Sequence, residues 1–60
     1  MQNLIGKVCY FWDNDTGDSC FGILADASNG LFRAKYRGIF ENCRKATEQE
    51  IYLFWKIYNI

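Results

Sequence analysis

Histidine and proline are both absent from the 60 residues, and the formal net charge is zero. Without histidine the chain lacks the side chain that most often acts as a general base near neutral pH. A serine or cysteine nucleophile therefore has no imidazole to activate it. There is no Gly-rich phosphate loop and no nucleophile elbow. The carboxylates of Asp13 and Asp15 fall in a turn-forming stretch, without the rigid pocket that would raise one pKa. These absences point away from an enzyme.

The lack of net charge removes the excess of Lys and Arg that duplex DNA binding relies on. It also leaves little self-repulsion, which eases association. Cysteine is limited to Cys9, Cys20 and Cys43, an odd number with no CxxC spacing. No cofactor or metal is expected. The start "MQNLIGK" lacks the charged segment and long apolar run of a secretory signal. No stretch reaches the roughly 20 apolar residues of a membrane-spanning helix. The expectation is a cytoplasmic protein, off the membrane, whose reduced thiols serve as small buried apolar groups.

Bulk is plentiful. Half the residues are hydrophobic and 18% are aromatic. A domain this short buries only about 60% of the surface its unfolded chain exposes, so large rings must supply much of the core. One domain spanning residues 1–60 is expected.

"KVCYFW", residues 7–12, favours a strand with Val8, Tyr10 and Trp12 on one face and Cys9 and Phe11 on the other. Both faces are apolar. One must be core, and the other must be covered by a partner, a neighbouring segment or a ligand. "DNDTGDS", 13–19, is dense in turn formers. "CFGILADA", 20–27, reads as a second strand, with a bulge or bend at Gly22. Asn29-Gly30 is a strong hairpin signal. "LFRAKYR", 31–37, alternates, placing Phe32, Ala34 and Tyr36 on one face and Leu31, Arg33, Lys35 and Arg37 on the other. Gly38 reads as a turn and "IFENCR", 39–44, as a fourth strand.

Thr47 and Glu50 fit a capping box that starts a helix or a single helical turn. Beyond it two patterns compete. A helix aligns Ile51, Phe54, Trp55 and Tyr58, whereas a strand aligns Ile51, Leu53, Trp55 and Ile57. A short helical turn is expected, with the remainder docked in either form. The predicted fold is mainly β: a small four- to five-stranded SH3-like barrel with a short C-terminal helical turn. Closure also protects the sheet edges that an open meander would expose.

The pieces Asp13-Asn14-Asp15, Phe21, Phe32, Phe40 and Cys43, followed by Thr47 and Glu50, carry a family resemblance. Over about residues 7–51 the chain resembles small SH3-like barrel proteins and accessory domains of bacteriophages and mobile elements of gut bacteria. It departs from them in having no proline before Phe32 and Phe where they tend to have Trp. The resemblance implies a fold and an origin, with the host cytoplasm as the compartment, and no particular activity.

The "DNDTGD" stretch matches a calcium loop only in part. Counting from Asp13, positions 1 and 3 supply oxygen, but position 5 is Gly17, position 6 is Asp18 and position 12 is Leu24. The bidentate ligand is missing, so the segment reads as a solvated turn whose side chains bond their own backbone.

Two binding sets remain. Tyr10, Trp12, Tyr52, Trp55 and Tyr58 form a protein-binding set, for a heterologous partner or a second copy of the chain. The alternative is nucleic-acid or nucleotide binding by Arg33, Lys35, Arg37 and Arg44, with Tyr36 among the stacking aromatics.

Overall fold

In the computed structural model, which describes residues 2–58, the alternation at the first strand decides both faces of the sheet. A 3-10 turn, Gln2–Leu4, leads into five strands: β1 (Val8–Trp12), β2 (Ser19–Ser28), β3 (Leu31–Ala34), β4 (Gly38–Phe40) and β5 (Asn42–Lys45). Helix α1, Glu48–Tyr58, follows. The strands pair antiparallel in one sheet, in the order β4-β3-β2-β1-β5. The protein is therefore mainly β, with one short C-terminal helix.

Cys9 and Phe11 point to the inner face, where they meet Leu24 and Ala34, all four essentially excluded from water. Leu4, Cys20, Phe32, Phe40 and Cys43 pack around them, so all five strands contribute to one core. Phe11 and Phe40 lie 5.8 Å apart, centre to centre, although β1 and β4 are not neighbours in the sheet. A flat sheet does not allow that contact, so the sheet is curled. A single residue, Glu41, separates β4 from β5, and these are its two edge strands. Among the described residues no ladder joins the two edges, so the sheet is curled without being closed.

Val8 lies on the outer face with Ala46 and Phe54, and Phe21, Ile23 and Ile51 pack beside them. The second apolar face of β1 is thus covered in part by a neighbouring segment, α1. The capping box holds the start of that helix. The Glu50 amide donates to Thr47 Oγ1 at 3.2 Å, and the Thr47 amide donates to Glu50 Oε1 at 2.8 Å. The helix then runs on to Tyr58, well beyond the single turn expected, and the strand pattern of its residues is not used. Docking of Phe54 and Ile51 on Val8 and Ile23 favours the 3.6-residue period over the alternation. Residues 59 and 60 of the ambiguous tail lie outside the described residues.

Three further expectations need correction. The strand predicted at 31–37 ends at Ala34, and residues 35–37 turn, closed by the Arg37 amide donating to Ala34 O at 3.0 Å. Tyr36 takes a left-handed φ of 65°, which ends the alternation and places its ring outside the core. The strand predicted at 39–44 is broken at Glu41. There Asp13 Oδ1 accepts from the Glu41 amide at 2.8 Å, and Glu41 Oε1 accepts from the Asn14 amide at 3.0 Å. This reciprocal staple supports the chain as it crosses from one sheet edge to the other. The irregularity of β2 sits between Leu24 and Asp26 rather than at Gly22. Gly22 instead meets a close neighbour, since a Cβ there would lie 3.3 Å from Arg37 Cδ. The Asn29-Gly30 hairpin stands as read: both residues have positive φ, 54° and 74°, as a type I′ turn requires.

Candidate functional site

Apart from a polar sector of Glu48, Gln49 and Lys56, apolar residues occupy most of α1, yet only Phe54 is buried. Tyr52, Leu53, Trp55, Ile57 and Tyr58 are all exposed. At 100° per residue, Tyr52 projects about 160° from Phe54, directly toward solvent. Trp55 lies on one flank of the docked face, and Leu53 and Ile57 lie on the other.

Each flank borders a groove. The first has a volume of about 480 Å³ and runs between α1 and the β3–β4 turn. Its floor is Gly22 and Ile23, one wall is Phe54, Trp55 and Tyr58, and the other is Lys35, Tyr36 and Arg37. The second, about 370 Å³, lies on the Leu53 and Ile57 side, above Cys20 and Phe21. Arg37 lines both grooves. Its guanidinium lies over the Tyr58 ring, 5.0 Å from its centre, and donates to the Tyr58 hydroxyl. That contact ties the β3–β4 turn to the last turn of α1, where a cation also suits the helix dipole.

The protein-binding set does not form one cluster. Tyr10 and Trp12 are half-buried on β1, stacked at 5.6 Å, with Phe21 4.9 Å from Tyr10 and Arg44 over the Tyr10 ring. Trp55 and Tyr58 border the first groove, Phe54 packing between them at 5.0 and 4.7 Å. Tyr52 stands apart on the outer side of the helix, with Lys56 over its ring.

The basic set is also divided. Arg33 is on β3, opposite Asp26 in the backbone register, and lines a groove beside Ile5 and Gly6 together with Lys35 and Tyr36. Lys35, Tyr36 and Arg37 form the turn. Arg44 makes a bidentate pair with Glu50, at 2.9 and 3.0 Å. The strand stops before Lys35, so the cations do not form a single strand row, although Arg33 and Lys35 line one groove with Tyr36.

Glu50 serves two partners at once. Hydrogen bonds from Arg44, and then from the Thr47 amide, hold its carboxyl down at about 2. Its folded value lies below its unfolded one, so its contribution to stability is complete above the ordinary value of 4.5 and disappears as pH falls toward about 2. Thermal melts followed by far-ultraviolet dichroism should show helix signal weakening in that acid range. Glu50→Gln should flatten this part of the profile. An unchanged acid limb in that variant would contradict the role assigned to Glu50.

The "DNDTGD" stretch is a turn tied across the fold more than to itself. The Asp13 amide bonds Asp18 O at 3.0 Å, and the Asp18 amide bonds Thr16 Oγ1 at 3.2 Å. The Asp13 carboxylate, however, is engaged with Glu41, and Asn14 Oδ1 accepts from the Asn42 side chain at 3.0 Å. Among the described residues no three potential ligands gather into a metal-sized cluster. No described helix is long and apolar enough to cross a membrane.

All three cysteines are free. Phe11 pairs in register with Cys20 on one side and Cys43 on the other, so their side chains share the inner face. Burial pushes all three thiols up, Cys43 to about 12 with the neighbouring Cys9 adding to the shift. Thiols raised in this way are poor nucleophiles at neutral pH.

The groove between the β3–β4 turn and α1 was not legible as such. Lys35 and Arg37 were singled out by charge, and Trp55 and Tyr58 by ring size, but as members of different sets. Compared with models of known families, with curated proteins and with solved structures, the chain matches none.

Proposed function

We propose that the protein is a non-enzymatic protein-binding module, of the kind phages and mobile elements carry, with α1 and the β3–β4 turn as its docking surface. The reading includes an SH3-like barrel as the scaffold, supported by the strand order and by the single residue between the two edge strands. The observation that carries the function is the state of α1. A helix docked on a sheet normally buries most of its apolar face and turns its polar residues to water. Here Tyr52, Leu53, Trp55, Ile57 and Tyr58 face solvent on an eleven-residue helix. Exposed apolar surface of this extent marks an interaction site on a small soluble protein.

The surface also has the composition of an interface core, in which aromatic residues and Arg are enriched. The groove flanked by Trp55 gives such an interface a place for an anchor side chain. The nucleic-acid reading loses support from Arg44, which lies outside that groove and is paired with Glu50.

The test compares the wild type with Leu53→Glu/Ile57→Glu in affinity capture from cells expressing the protein, with solution mass measured by light scattering. Neither side chain belongs to the buried clusters, so the double variant should fold. Capture of a discrete partner, or a dimer mass, that disappears in the variant is the expected result. A monomer that captures the same proteins with or without the two charges would overturn the proposal.

A further inference from the structure

The groove of about 480 Å³ is lined by three exposed aromatic side chains and two cations, with no Asp or Glu among its lining residues. We propose that it takes an acidic peptide segment of a partner protein, anchored by one large apolar side chain. This rests on the protein-binding reading and specifies the chemistry of the partner.

Charge is the first ground. Among the described residues the one ion pair joins Arg44 to Glu50. Lys35 and Arg37 thus have no described carboxylate within ion-pair distance, although Glu50 lines the second groove with Arg37. Arg37 leans on Tyr58, a neutral partner, and Lys35 lies 5.4 Å from the centre of the Tyr36 ring. Two carboxylates on a bound segment complement this wall.

Shape is the second ground. Tyr36 is 94% exposed and holds a left-handed φ of 65°, a conformation that L residues rarely adopt. The backbone around it is fixed on both sides: the Lys35 amide donates to Ile23 O at 2.8 Å and the Arg37 amide to Ala34 O. The turn therefore pays in strain to hold an aromatic ring out at the mouth of the groove. Opposite it stands Trp55, with Ile23 and Phe54 between. An apolar side chain entering here meets rings on both sides while flanking carboxylates reach Lys35 and Arg37.

A single-stranded nucleic acid is the less favoured occupant. It needs a track of cations along its backbone. Lys35 and Arg37 line this groove and Arg33 adjoins it through Lys35, a cluster of cations rather than a long track.

The experiment follows fluorescence anisotropy of a labelled Glu-Asp-Phe-Asp-Glu peptide, with Lys-Arg-Phe-Arg-Lys and short oligothymidylate as comparison probes. The acidic peptide should bind, more weakly at higher salt, and the basic peptide should not. Lys35→Glu/Arg37→Glu should weaken the acidic peptide about tenfold. Lys35→Glu alone should weaken it in the same direction, and it leaves the Arg37 contact with Tyr58 intact should the double variant fail to fold. Equal binding of both peptides, no binding of the acidic one at low salt, unchanged affinity in the folded variants, or tighter binding of oligothymidylate would each overturn the proposal. If the acidic peptide fails while capture still depends on Leu53 and Ile57, the docking surface stands and only the partner's chemistry is wrong.

Discussion

Replacing Phe11 by alanine is expected to cause the largest loss of stability of any single core truncation, lowering the urea midpoint sharply. The ring is fully buried and lies at the centre of the inner core, 5.8 Å from Phe40, with the backbone of Gly22 and the side chains of Cys9, Leu24 and Ala34 around it. Removing such a ring costs about 3–5 kcal/mol in lost transfer energy and residual cavity. A 60-residue domain at about 0.05–0.15 kcal/mol per residue holds roughly 3–9 kcal/mol in total. The change therefore removes between about a third and all of the stability. Urea titration followed by far-ultraviolet dichroism measures it. A variant with a cooperative transition near the wild-type midpoint would show that the curled sheet is held by something other than this core.

The second large effect concerns α1. Phe54→Ala is expected to release the helix while the strands remain paired. Phe54 is the one helix residue buried against the sheet, where it meets Val8 and Ala46. Its loss should cost about 3 kcal/mol, at the low end for a ring because one edge of it still meets solvent. An eleven-residue helix is marginal on its own in water, so it holds its shape only while docked. Helical dichroism should fall, amide exchange should rise across Glu48–Tyr58, and the strand amides should keep their protection. Loss of protection throughout would instead mean that the helix and the sheet fold as one unit. Full retention of helix would mean that the Thr47 and Glu50 cap, with Arg37 on Tyr58, suffices.

The parts of the fold that were legible are those set by local chemistry. Asn29-Gly30 asks for positive φ at two successive residues, and nothing distant changes that. Thr47 and Glu50 satisfy each other's amides within one turn. The parity of Val8–Trp12 sorts five residues between two faces whatever covers them. The missed features depend on contacts distant in sequence. "IFENCR" has no local breaker, and it divides at Glu41, where Asp13 and Asn14, 28 and 27 residues earlier, bind that joint. "LFRAKYR" alternates without a flaw, and it ends at Ala34 because Tyr36 takes a φ that its residue type rarely adopts. The same misreading hid the groove. Lys35 and Arg37 were placed in a row on a strand, so their meeting with Trp55 and Tyr58 could not be seen.

Site-specific photo-crosslinking is the most direct measurement of the docking surface. A photoreactive amino acid at position 53, on the exposed flank of α1, is compared with one at position 15, in the β1–β2 turn, in cells expressing each protein. A discrete protein adduct, or a dimer of this chain, from position 53 and none from position 15 is the expected result. Equal adducts from both positions, or none from position 53, would contradict a protein-binding role for α1.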